Sequence, residues 1–318
     1  MTLSDQNLSR DARIAVLNGG QSAEADVSRS SARGVIQALQ ANYRHIESIE
    51  LDADVATHLM AFKPDVVFPI LHGPPGEDGT VQGFLEILGY PYVGSGVHAS
   101  AFAMDKIVAK DVFRAAGLPI IPQCVVERRY GVAAAVETIT RELGEYVVVK
   151  PARQGSALGV TLVENANQLH EGVEAAFKFD ERLLVETRID GREITVGVID
   201  QQDATHAFPV IEIVTPDNSW YDFDHRYTVG WSEHQMPANL PAAQTTQLQE
   251  VAVRAHQSLG CRDLSRADFV VTPDAIFLLE VNTLPGMTPT SLYPDGASGY
   301  GMDFPSLVSH LVERALRR

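Results

Sequence analysis

The stretch LLEVNTLPGMT, residues 278–288, places a carboxylate and an amide on an apolar strand and then breaks it. Apolar residues lead into Glu280, Asn282 follows two positions on, and Pro285-Gly286 ends the run. With ADFVV and the connector TPDA ahead of it, the segment reads as the second strand of a β-hairpin. Side chains alternate along a strand, so Glu280 and Asn282 share a face, and Asp268 on the first strand can sit opposite Glu280. Three oxygen donors on adjacent strands suit a hard cation such as Mg²⁺, whose remaining positions go to water or phosphate. The competing reading is a solvated strand face. Leu278 and Leu279 weigh against it, because carboxylates are rarely buried unless paired or metal-bound.

Working outward, the hairpin closes a chain of alternating elements. RIAVLN, 13–18, is a β-rich run ending at Gly19-Gly20, and SAEADVSRSSARGVIQALQ has helical spacing. DVVFPIL, 65–71, is apolar on both faces, as a buried parallel strand should be. This argues for an open α/β sheet up to about residue 100. From 101 onward the spacing predicts one helix over MDKIVAKDVFRAAG, a helix near 131–143, the strand EYVVVKP, a Gly-Ser loop, a helix near 166–178 and the strand LLVETRI. Strands are expected at 194–200 and 207–214, and helices at 243–259 and over FPSLVSHLVERAL. Residues 215–233, TPDNSWYDFDHRYTVGWSE, form a long aromatic loop without periodicity, a length that is usually functional in a compact domain.

The bulk properties exclude several classes. At 318 residues the chain has room for two or three domains. Its formal charge of 25 − 41 = −16 disfavours nucleic acid as a partner. Phosphates would then need a local basic pocket or metal ions. No apolar run is long enough to span a membrane. The polar N-terminus does not resemble a secretion signal. Cys124 and Cys261, far apart, read as reduced thiols of a cytoplasmic protein.

Other segments carry weaker signals. In KPARQGSALGV, 150–160, Lys150 ends an apolar strand before a Gly155-Ser156 loop that could wrap phosphates, although an ordinary turn reads equally well. Glu186 and Glu193, in LVETRIDGREITV, could accept from a ribose or lie on a solvated edge. Glu24 could favour a helix dipole or hold an ammonium group. His72 ends a buried strand, at the edge where open α/β sheets bind ligands. Glu77-Asp78-Gly79 reads as turn and helix cap.

In this order the segments GGQSAEADVS, LHGPPGEDGTVQG, YVGSGVHASAFAMDK, VVVKPARQGSALGV, DFDHRYT, SRADFVV and LLEVNTLPGMTPTSL, spanning residues 19–292, resemble the D-alanine–D-alanine ligase family of ATP-grasp enzymes. The resemblance implies an α/β (α+β) ATP-grasp fold of three domains. Residues 1–100 would form an N-terminal open parallel sheet that binds substrate. Residues 101–195 and 196–318 would form two α+β domains clamping ATP, with 215–233 as a lid. The implied reaction phosphorylates the carboxylate of one D-alanine and joins it to the amine of a second, for peptidoglycan precursors, in a cytoplasmic homodimer.

By the same resemblance, Lys106, Lys150 and Arg226 bind the ATP phosphates. Glu186 and Glu193 contact adenine and ribose, and Trp220 covers the adenine. Asp268, Glu280 and Asn282 would hold two Mg²⁺ (or Mn²⁺) ions. Glu24, with Ser156 and Tyr227, would hold the first D-alanine's ammonium, with Val27 and His72 nearby. Arg266 would stabilise the tetrahedral oxyanion. Gly286, Ser291 and Leu292 would grip the second substrate. Asp26, Ala157 and Arg226 depart from the usual Glu, Ser and Lys, and Arg forks differently from Lys. Tyr227, where D-lactate-using relatives carry His, favours an amine nucleophile. A related ATP-grasp ligase with another second substrate, D-serine, D-lactate or one that gives a specialised dipeptide, is the alternative. A catalytically dead nucleotide module is disfavoured, since Lys106, Lys150, Arg266, Asp268, Glu280 and Asn282 are all present.

Overall fold

The protein is described by a computed structural model covering residues 10–22, 24–202, 204–215, 231–288 and 290–318. Its N-terminal part is a three-stranded parallel sheet in the order β2-β1-β3. The central strand β1 (Arg13–Asn18) is buried along almost its whole length, as its unbroken apolar run requires. β3 (Val66–Pro69) is equally buried. β2 (His45–Glu50) is a polar edge strand that buries chiefly Ile49, and its HIESIE sequence carries little strand signal. Helices α1 (Ala25–Leu39), α2 (Val55–Phe62) and α3 (Thr80–Leu88) complete this part.

The helix expected across MDKIVAKDVFRAAG forms as Lys106–Ala115, and a separate helix that was not expected precedes it. α4 (Val97–Met104) stops at Asp105, whose extended backbone lets its carboxylate accept from the amides of Ile107 and Val108. An Asp that caps the following amides competes with helix continuation. A new helix, α5 (Lys106–Ala115), therefore starts at Lys106 and aims that side chain from a helix N-terminus.

A four-stranded sheet follows in the order β4-β7-β5-β6, built from β4 (Gln123–Glu127), β5 (Val147–Pro151), β6 (Thr161–Val163) and β7 (Arg182–Thr187). α6 (Val132–Leu143) and α7 (Ala166–Ala176) cover one face through Ile139, Leu169 and Val173. The last sheet has six strands: β8 (Arg192–Asp200), β9 (Thr205–Ala207), β10 (Ile211–Val214), β11 (Glu233–Gln235), β12 (Leu264–Val271) and β13 (Ile276–Asn282). The strand expected at 207–214 is interrupted between β9 and β10 around Pro209, which lacks an amide to donate. α8 (Ala242–Leu259) packs on this sheet through Leu248, Ala252 and Leu259.

The chain then returns to its beginning. After α9 (Leu292–Gly299), helix α10 (Phe304–Leu316) starts at an Asp303 cap and inserts Leu307, Leu311 and Val312 against Ile14, Val16, Val66 and Phe68. Phe208, Leu264 and Tyr293 belong to the same core, so one apolar cluster joins the first sheet to the last. Asp263 reinforces the joint from a fully buried position. It accepts from the Gly94 amide at 2.8 Å, from Arg314 Nε at 3.1 Å and from both Arg318 guanidinium nitrogens at 2.8 Å. Leu311→Ala, which empties a fully buried position in this shared core, is expected to lower stability by about 2–5 kcal/mol in chemical denaturation.

Candidate active site

Strands β12 and β13 pair antiparallel with Arg266 opposite Asn282 and Asp268 opposite Glu280. Directly opposed residues share a face, so these four side chains converge. The register then shifts: Phe269 faces Leu278, leaving Leu279 as a bulge residue. Such a bulge re-aims the side chains around it, and both Leu279 and Glu280 line the same cleft. Asn282 Oδ1 accepts from the Leu284 amide at 2.9 Å, closing the turn that ends the strand.

Two adjoining clefts open over this face. The larger, about 580 Å³, lies between the four- and six-stranded sheets and is lined by Lys106, Lys150, Ala157, Glu186, Glu193 and Glu280. The smaller, about 130 Å³, lies between the first sheet and the turn after β13. Glu24, Val27, His72, Arg266, Asn282, Gly286, Ser291 and Leu292 all line it. Lys106, Ser156 and Glu280 belong to the walls of both. The residues singled out for substrate and for nucleotide thus separate into two cavities with a common wall.

In the larger cleft, Lys106 Nζ lies 3.1 Å from Glu280 Oε2 and donates to the Gln154 carbonyl at 2.9 Å. Lys150 Nζ contacts Glu186 Oε2 at 2.5 Å. Burial disfavours the charge on Lys150, but the adjacent Glu186 carboxylate holds it above the ordinary lysine value. Glu186 is itself buried, with Lys110 Nζ 2.7 Å from its other oxygen. Burial alone would raise the Glu186 carboxyl, yet Lys110 and Lys150 bring it down to about 2. This carboxylate lines the larger cleft and has a lysine on each oxygen.

Asp268 lies behind the cleft wall. Arg266 grips it bidentately, Nε to Oδ1 at 2.9 Å and a terminal nitrogen to Oδ2 at 2.8 Å, and Thr195 Oγ1 donates at 2.6 Å. The proposed metal donors are two carboxylates and an amide oxygen. Among the described residues no group of three His, Cys, Asp or Glu is arranged to hold a metal. An all-oxygen set completed by phosphate and water still matches Mg²⁺.

In the smaller cleft, Ser156 Oγ donates to Glu24 Oε1 at 2.5 Å across 132 residues of chain. Ser156 and Ala157 have positive φ, 48° and 59°, a backbone strain of the kind that collects at ligand clamps. Glu24 precedes the first helical residue of α1, yet its side chain makes no capping hydrogen bond. Its carboxylate faces the loop after β5 instead. Ser291 Oγ accepts from the Thr288 amide at 3.0 Å, and a Cβ added at Gly286 would lie 2.8 Å from that oxygen. His72 is buried and its Nε2 has no hydrogen-bond partner among the described residues. Burial holds His72 below the usual imidazole range, with Glu24 opposing and Arg266 reinforcing.

Two residues were not singled out in the sequence. Glu77, read there as a turn former, lines the smaller cleft and accepts from the Gly73 amide at 2.6 Å. Burial pushes its carboxyl up to about 8. Only the tertiary approach of the 71–80 loop to Glu24 and Arg266 produces that environment. Lys110 follows Lys106 by four residues, a spacing that puts both on one helix face and was legible in advance. Trp220, Arg226, Tyr227 and most of the expected lid lie outside the described residues.

Known proteins resemble this chain over most of its length. Residues 112–313 match the model of the D-ala D-ala ligase C-terminus, and residues 50–95 that of the D-ala D-ala ligase N-terminus. The chain is 44% identical over 309 residues to a D-alanine–D-alanine ligase of Halalkalibacterium halodurans, covering 96% of this chain and 100% of that protein. It is 46% identical to one from Geobacter sulfurreducens, covering 96% and 93%. Among solved structures, D-alanyl-alanine synthetase A of Vibrio cholerae superposes with a TM-score of 0.84 at 29% identity, covering 97% and 99%. The VanG D-Ala:D-Ser ligase of Enterococcus faecalis gives 0.80 at 29% identity, covering 96% and 99%. With a family model over residues 112–313 and relatives more than 40% identical over nearly their whole length, the chain belongs to the D-alanine–D-alanine ligase family.

Proposed function

We propose that the two clefts serve the two halves of one reaction: the larger holds ATP, the smaller holds both amino acids, and Lys106, Ser156 and Glu280 stand where they meet. The protein is an enzyme that joins two D-alanine molecules into D-alanyl-D-alanine. The observation that carries the division of labour is the shared wall, which lets a carboxylate in one cavity approach a phosphate in the other. In this reading residues 1–100, 101–195 and 196–318 are three cooperating domains. The enzyme acts as a homodimer in the cytoplasm and makes peptidoglycan precursors.

The first D-alanine would set its ammonium on Glu24, which Ser156 orients. Its carboxylate oxygen attacks the γ-phosphorus of ATP, the bond to the ADP oxygen breaks, and D-alanyl phosphate forms. Phosphoryl transfer of this kind needs positioning and charge neutralisation above all. Lys106 and Lys150 would supply both, with Glu186 holding Lys150 in place and Glu193 reaching the ribose. The amine of the second D-alanine, its carboxylate on Ser291 and the Gly286 amide, attacks the acyl carbon. Arg266 stabilises the developing oxyanion, phosphate leaves with its oxygen, and the amine gives up a proton. Two Mg²⁺ (or Mn²⁺) ions on Asp268, Glu280 and Asn282 would neutralise the triphosphate. Arg266 and Lys106, which engage two of these side chains here, are the groups such binding would release.

Incubation with ATP, Mg²⁺ and D-alanine is expected to release phosphate and form D-alanyl-D-alanine in equal amounts. A product containing D-serine or D-lactate in preference would shift the second-substrate assignment, and no dipeptide of any kind would sink the reading. Arg266→Ala is expected to lower kcat by about 10²–10³-fold, the scale of losing one oxyanion donor, while ADP binding persists. An unchanged rate would remove Arg266 from the chemistry.

The Glu77 carboxyl yields a pH prediction. Its pKa rises from an ordinary 4.5 to about 8 on folding, so the folded state holds a proton that the unfolded chain releases. Its contribution to stability is therefore full below the ordinary carboxylate pKa and is lost as pH rises through about 8. Melting temperatures across that window should fall more steeply for the wild type than for Glu77→Gln. Parallel curves would refute a protonated Glu77.

A further inference from the structure

Lys110 is a charged side chain in the interior with no part in the reaction as derived. It is 1% exposed, on the second turn of α5, four residues after Lys106. Its Nζ lies 2.7 Å from Glu186 Oε1 and donates to the Leu278 carbonyl at 2.8 Å. Glu186 belongs to β7 of the four-stranded sheet, and its other oxygen holds Lys150. Leu278 belongs to β13 of the six-stranded sheet and immediately precedes the bulge of Leu279 and Glu280. One ammonium group therefore touches both sheets that wall the larger cleft. Each contact lies one step from a group that faces the cavity.

We propose that Lys110 is a positioning residue for this cleft: it holds Glu186, and through it Lys150, and it anchors β13 at the bulge that aims Glu280. The proposal rests on the reading of the larger cleft as the ATP site. Burial works against the charge on Lys110, and Glu186 only partly restores it. An apolar side chain of similar length would fill the same volume without that desolvation. The charge is therefore explained by what it holds. Without it, Glu186 would keep Lys150 as its sole cation, and the two would draw closer together and away from the cavity. The Leu278 carbonyl would lose its buried donor next to the residue whose direction the bulge sets. Lys106 and Lys110 then form a pair with divided duties, the first facing the cavity and the second holding its frame.

The test compares wild type, Lys110→Met and Lys110→Arg by calorimetric titration with ADP. It adds steady-state kinetics in which ATP and D-alanine are varied separately. Lys110→Met is expected to weaken ADP binding and raise the KM for ATP by about 10–100-fold, the range for outer partners that orient ligand-binding groups. The KM for D-alanine should stay at its wild-type value, and Lys110→Arg should fall between the two. A folded Lys110→Met with a lower melting temperature but wild-type ADP affinity and KM values would mean packing alone, and would overturn the assignment. If Lys110→Met does not fold, Lys110→Arg decides: a raised KM for ATP alone upholds it, and wild-type constants overturn it. A wild type that binds ADP but makes no dipeptide defeats the ligase reading and leaves the ADP titrations to judge Lys110. A wild type that binds no ADP defeats both.

Discussion

The pairing of Asp268 with Glu280 across β12 and β13 is the constraint on which the rest of the site depends. It places Arg266, Asp268, Glu280 and Asn282 on one face, and the bulge beside it turns Glu280 into the cavity. The neighbouring strand β8 sets Thr195 against Asp268, so the carboxylate is held from two sides. Every other functional element is brought to this face: α5 with its two lysines, the loop after β5 with Ser156, and the first sheet with Glu24 and His72.

Electrostatics shows how an acidic chain of net charge −16 can hold a polyanion. Lysines 106, 110 and 150 gather around Glu186 and Glu280 at the junction of two sheets. The carboxylates do not cancel the lysines but fix their directions. Low dielectric strengthens the buried Lys110–Glu186 pair and makes an unpartnered member costly.

The resemblance drawn from seven segments extended to the architecture. Most of the candidate residues in those segments line one or other cleft, because they sit at strand termini and helix starts, where side chains reach a cavity. Less was legible elsewhere. HIESIE forms a strand because an edge position tolerates polar residues on both faces, a context its sequence does not carry. The helix ahead of Asp105 was not expected, and the local capping bonds at Asp105 set it apart from the one that was. Glu77 looked like a turn residue, and it is one, but burial beside Glu24 changes its chemistry.

By itself the sequence determined the order of the longer strands and helices, the alternation that puts Glu280 and Asn282 on one face, the acidic balance and the kinship. These follow from local periodicity and from residue types at fixed spacing. Only the tertiary structure decided which charges meet. Glu24 and Ser156 are 132 residues apart in the chain, and Lys110 and Leu278 are 168 apart. Whether a carboxylate caps its helix, touches a ligand or orients a lysine depends on what is folded against it. The energy of a buried charge is set by its neighbours in space, and spacing along the chain does not specify them.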